Sequence, residues 1–138
     1  MQLPLTPQQR ALVKHTFTHI APNHDNVARL FYDKLFEIAP ELQPMFTHSM
    51  DMQRAKVMQM LAALVAAMDD PSHFSRMARE LGKRHVDYGV LRNQYTLVEQ
   101  ALMWALEEAC PDVMNTAALA AWKAAYALIA DAAVTAYE

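Results

Sequence analysis

Glycine is nearly absent from this chain: Gly82 and Gly89 are the only two in 138 residues, against a usual share of about 7 %. No Asn-Gly or Asp-Gly dipeptide occurs, so the tight hairpins of a β-protein have nothing to turn on. A single cysteine, Cys110, excludes an internal disulfide and suits a reducing compartment. No basic stretch followed by an apolar one opens the chain, so no secretion signal is read. Excess positive charge is missing too, and a net charge of −3 offers no general attraction to nucleic acid or anionic lipid. The most apolar run, Ala117 to Ala130, is broken by Lys123 and reads as too short to span a bilayer. These absences lead to the expectation of a cytoplasmic protein that binds neither nucleic acid nor membrane.

What remains is helix. Ala, Leu, Met, Glu, Gln, Lys and Arg dominate, all of them good helix formers, and the length suits one domain, residues 1–138, with a real core. Thr6-Pro7-Gln8-Gln9 has the form of a helix start, with a Thr cap, Pro at the first position and Gln three residues after the cap. Pro22 and Asn23 interrupt that first helix. A second is expected from about Asp25 to Ile38, with Val27, Leu30, Phe31, Leu35 and Phe36 along one side and Tyr32 on a neighbouring inward line. Pro40 and Pro44 bracket a short turn ending at Phe46. After the Thr47-His48-Ser49 connector, with Ser49 as cap, Gln53, Val57, Met60, Leu61, Leu64 and Met68 form the stripe of the next helix. Gln53 is a polar residue on that apolar line.

Asp69-Asp70-Pro71 separates this helix from the next, for which Ser72 reads as the cap. Phe74, Met77, Ala78, Leu81 and His85 share its inner face, and Gly89 closes it. The chain restarts near Arg92 or Asn93, with Tyr95, Val98, Leu102 and Leu106 facing inward. After Pro111-Asp112, a last helix runs through Leu119, Trp122, Tyr126, Ile129, Ala133 and Tyr137. The total is about seven helices in an all-α domain. A histidine and a glutamine face inward from different helices, an arrangement able to sandwich a flat cofactor.

Four segments resemble the globin family, above all the single-domain bacterial globins and the haem domains of flavohaemoglobins. FYDKLFEIAPELQPMF (Phe31 to Phe46) is similar to the family's second helix and the corner after it. QRAKVMQML (Gln53 to Leu61) resembles the distal helix, RHVDYGV followed by Tyr95 the proximal segment, and AWKAAYALIAD (Ala121 to Asp131) the last helix. The resemblance implies a three-over-three helical sandwich around haem, with His85 as the iron ligand. Tyr32 and Gln53 would stand over the iron and stabilise a bound gas; Phe46, Lys56, Val57 and Tyr95 would contact or support the cofactor. No Cys-x-x-Cys-His run is present, so the cofactor is expected to be non-covalent haem b.

The implied function is reversible binding of dioxygen, nitric oxide or carbon monoxide, as in oxygen transport or storage. The alternative is a nitric-oxide dioxygenase served by a separate reductase, with Tyr32 and Gln53 as its catalytic pair; a gas sensor ranks third. The resemblance places a proximal glutamate at Tyr137, with Glu138 one residue further, which implies weaker electron donation from the proximal side. Plainer readings stand beside these. His85 could be a core histidine, Gln53 could sit half-exposed at the edge of its stripe, Tyr32 could rest its hydroxyl on a backbone carbonyl, and Lys56 could be a solvated charge. The ten methionines read as adaptable core filler. His15, His19, His24, His48 and His73 read as helix-end or polar-face residues rather than metal ligands.

Overall fold

The computed structural model describes residues 5–47 and 49–137, so His48 and Glu138 lie outside the described residues. Six α-helices follow one another among them: α1 (Pro7–Ile20), α2 (His24–Ile38), α3 (Met50–Ala66), α4 (Pro71–Tyr88), α5 (Tyr95–Ala109) and α6 (Thr116–Ala133). The expected seventh helix is the 3₁₀ turn Pro40–Met45. The most extensive pairings are α2 with α5, α4 with α6 and α1 with α6, and α3 packs chiefly on α2. The all-α expectation holds.

Local chemistry explains where the helices begin. Thr6 makes the full capping box with Gln9, and Ser49 caps α3 through the Met52 N–H. Helix α4 corrects the sequence expectation: its cap is Asp70, whose carboxylate accepts from the His73 N–H at 3.2 Å, with Pro71 at the first position. Ser72 is therefore already inside the first turn. A cap must be extended, and residues preceding proline are pushed out of helical geometry, which favours Asp70 over Ser72.

The core has two connected parts. The larger one gathers Val13, Ile20, Val27, Leu61, Leu64, Leu106 and Trp122; the smaller one gathers Phe31, Tyr32, Leu35, Leu42, Ala101 and Ala105 around the corner after α2. The indole N–H of Trp122 donates to the Thr16 hydroxyl at 2.8 Å, and that hydroxyl donates onward to the Leu12 carbonyl at 2.7 Å. This buried pair pins α6 to α1 without leaving a polar group unsatisfied.

The stretch Thr116–Tyr137, 22 residues long, is by length and apolar composition able to cross a membrane. That corrects the expectation that this part of the chain is too short. In the fold it is a core element: Ala118, Ala121, Trp122, Ala125 and Ala133 are buried against α1, α4 and α5. The α-helix proper ends at Ala133, and Tyr137 belongs to the 3₁₀ turn Val134–Tyr137 that follows.

Both glycines serve α4. A Cβ on Gly82 would lie 2.0 Å from the Ala133 carbonyl oxygen, so α4 and the end of α6 touch backbone to backbone. Gly89 adopts φ 88°, ψ 13°, the left-handed conformation that ends a helix and strains other residues. Val90 then bonds back to the His85 carbonyl at 2.9 Å. Because the obstacle at Gly82 is main chain rather than a movable side chain, Gly82→Ala should lower stability by about 1–3 kcal/mol or more. Urea unfolding would measure it, and a wild-type midpoint would refute the close crossing.

Candidate functional site

His85 sits one turn before the glycine that ends α4, half-buried. Its Nδ1 lies 2.7 Å from the Leu81 carbonyl. A carbonyl can only accept, so Nδ1 carries the hydrogen and Nε2 keeps its lone pair. Burial pushes the imidazole pKa below its ordinary value, the Leu81 carbonyl opposes this, and Arg84 adds to it. The ring is thus held as a neutral base, the form in which a histidine binds a metal.

Two tyrosines flank this imidazole. The exposed Tyr88 ring stands edge-on with its centroid 6.4 Å away, and the buried Tyr95 ring is tilted at 6.0 Å. Tyr126 donates to the Tyr95 carbonyl at 2.6 Å, and Tyr137 donates to the Val90 carbonyl at 2.7 Å. Tyr126 and Tyr137 read as inner-face apolar residues in the sequence; the usable signal was that an inward tyrosine hydroxyl needs a partner. The buried Gln94 adds a further tie, accepting the Leu91 N–H at 2.8 Å and folding the loop between α4 and α5. No sequence signal pointed to it.

On the opposite side, Tyr32 of α2 is buried, and burial pushes its phenol up to about 12. Its hydroxyl is therefore a neutral donor at any ordinary pH. It points at α3 and meets the Gln53 main-chain carbonyl at 3.4 Å, a long contact that is easily exchanged for a better acceptor. The Phe46 ring stands edge-on to Tyr32 at 5.4 Å and to Phe36 at 5.4 Å, forming an aromatic corner. Val57 is half-buried and touches both parts of the core.

The structure therefore gathers Tyr32, Phe46, Gln53 and Val57 in one cluster and sets His85 against Tyr95 in another. Gln53 is half-buried and Lys56 is exposed. Gln53 and Val57 belong to α3 and His85 to α4, two helices that touch over only a short length. Exposed apolar side chains lie on these same segments: Met52 beside Gln53, Tyr88 beside His85, and Leu91 just past Gly89. A neutral imidazole set against a tyrosine ring and a phenol donor held among aromatic rings are groups that suit a flat, largely apolar metal-bearing group and a polar ligand on it.

A profile of the globin family matches residues 29–133. The chain belongs to the globin family. Among its relatives, a flavohemoprotein of Deinococcus radiodurans is 34 % identical over 131 residues, covering 92 % of this chain and 32 % of its own length. A flavohemoprotein of Bordetella pertussis is 32 % identical over the same span and coverage, and one from Bacillus subtilis is 24 % identical over 124 residues, 88 % of this chain and 31 % of its own length. This globin chain thus spans about one-third the length of the curated relatives it matches.

The depressed imidazole pKa has a stability consequence for the ligand-free globin. As pH falls below the ordinary imidazole value of 6.5, the unfolded chain takes up the His85 proton before the folded one does. Stability present above that pH is lost as pH drops through the folded value. Urea unfolding followed from pH 7.5 downward should fall less steeply in His85→Gln than in wild type. Parallel curves would show that His85 is not desolvated.

Proposed function

We propose that this globin is a haem protein that reversibly binds a diatomic gas. The observation that carries the reading is the His85 imidazole, whose Nδ1 hydrogen is held by the Leu81 carbonyl while Nε2 is left as a neutral donor. The relatives named flavohemoproteins support the cofactor. Haem, when bound, supplies an iron able to take one axial protein ligand and one gas molecule. His85 would be the axial ligand. Phe46 and Val57 would line the apolar faces, Tyr95 would back the imidazole, and the exposed Lys56 would reach an acidic edge of the cofactor. No thioether attachment motif is present, so the cofactor would be haem b, held by packing and His85. The single free thiol of Cys110 suits a reducing, cytoplasmic setting.

Tyr32 would hydrogen-bond the gas from the other side. Its long bond to the Gln53 carbonyl is weak enough to give way to a polarised ligand, and Gln53 stands beside it to add an amide donor. One such bond contributes on the order of 1–3 kcal/mol, or roughly a 10- to 100-fold slower release. A second reading is favoured by this same hydroxyl. Slow release of dioxygen suits a nitric-oxide dioxygenase, in which nitric oxide, dioxygen and one electron yield nitrate, the electron coming from a separate reductase.

Addition of haem to the purified chain should produce a Soret band with the spectrum of a histidine-ligated globin, and His85→Ala should lose the haem readily. A chain that takes up no haem would end the proposal. Tyr32→Phe should speed dioxygen release roughly 10- to 100-fold in stopped-flow measurements, and an unchanged off-rate would remove Tyr32 from the gas site. A single turnover of the oxygenated protein with nitric oxide separates the two readings: prompt stoichiometric nitrate supports the dioxygenase, and its absence leaves gas binding.

A further inference from the structure

The Tyr137 hydroxyl reaches across the fold to the stretch that follows His85. It donates to the Val90 carbonyl at 2.7 Å, and the Val90 N–H is itself bonded to the His85 carbonyl at 2.9 Å. The turn after α6 is thereby tied to the end of α4 at the residue that closes over His85. A phenol has one hydrogen, and in Tyr137 it is committed to Val90. In the 3.5 Å contact between the Tyr137 and Tyr95 hydroxyls, Tyr95 must therefore be the donor. The Tyr95 ring lies against His85, but its one acidic hydrogen is directed away from the imidazole.

We propose that Tyr137 is a positioning residue for His85. It holds the end of α4 in place through Val90 and turns the Tyr95 hydroxyl aside, so that the Leu81 carbonyl acts as the imidazole's hydrogen-bond acceptor. His85 would then meet the cofactor as a neutral imidazole held in one orientation. This rests on the haem reading above. Tyr126 provides the internal comparison, because it also joins the C-terminal part of the chain to Tyr95 by a short bond, 2.6 Å to the main-chain carbonyl. Among the described residues its hydroxyl bonds to neither Val90 nor the Tyr95 hydroxyl.

The test compares full-length, haem-loaded wild type, Tyr137→Phe and Tyr126→Phe. Tyr137 is half-exposed in the final turn, so its phenylalanine variant retains the fold, and circular dichroism checks this. The first readout is the iron–imidazole stretching band of the ferrous, gas-free protein by resonance Raman. The second is the rate of haem transfer to an excess of a haem-scavenging protein. Tyr137→Phe should shift or split the band and speed haem transfer roughly 10-fold, the lower end of what loss of a supporting contact to a metal ligand costs. Tyr126→Phe should lower the melting temperature while leaving the band in place. An unchanged band in Tyr137→Phe, or equal displacement in both variants, would overturn the assignment. Failure of wild type to form a Soret band would instead overturn the haem reading on which the assignment rests.

Discussion

The bond from the His85 Nδ1 hydrogen to the Leu81 carbonyl, one helical turn back, sets both the protonation and the aim of the imidazole. It has this effect only while α4 keeps its place. The helix lies so close to α6 that Gly82 meets the Ala133 backbone, and Gly89 ends it in a conformation that lets Val90 turn back onto the His85 carbonyl. A sequence with only two glycines has placed both on the helix that carries its candidate ligand, where a side chain would push the helix away or strain its end.

The opposite wall is built on a different principle. Tyr32 is held by an aromatic corner of Phe36 and Phe46, and among the described residues its hydroxyl has only the long contact to the Gln53 carbonyl. Packing therefore determines where the phenol is, and its hydrogen remains available to a better acceptor. The His85 side has short, committed polar bonds, while the Tyr32 side has firm packing and a loosely committed donor. That asymmetry suits a site in which one ligand is permanent and the other comes and goes.

Much of this was legible in the residues. The apolar spacing, the Thr6 and Ser49 caps and the Gly89 stop are local signals, and each appears where the chain chemistry placed it. The inward lines of Tyr32, Gln53 and His85 followed from helical periodicity. The start of α4 differs from the sequence expectation because Pro71 holds Asp70, not Ser72, in the extended geometry of a cap. The last helix reaches Tyr137 as its spacing suggests, but its final turn Val134–Tyr137 is 3₁₀, and the apolar stretch extends past Ala130 because that turn continues directly from α6. Gln94 carried no pattern at all, since its side chain satisfies a loop N–H.

By itself, then, the sequence determined the helices, their inner faces and the residue types able to meet a cofactor, because those depend on interactions within three or four positions of each other. Only the tertiary structure decided which hydrogen goes where. Tyr137 reaches Val90 and Tyr95, Tyr126 reaches the Tyr95 carbonyl, and Tyr32 meets the Gln53 main chain rather than its side chain. These contacts join residues from about twenty to nearly fifty positions apart, and their direction follows from each phenol having a single proton to donate. Periodicity can bring a hydroxyl inside; the packed neighbours alone determine its acceptor.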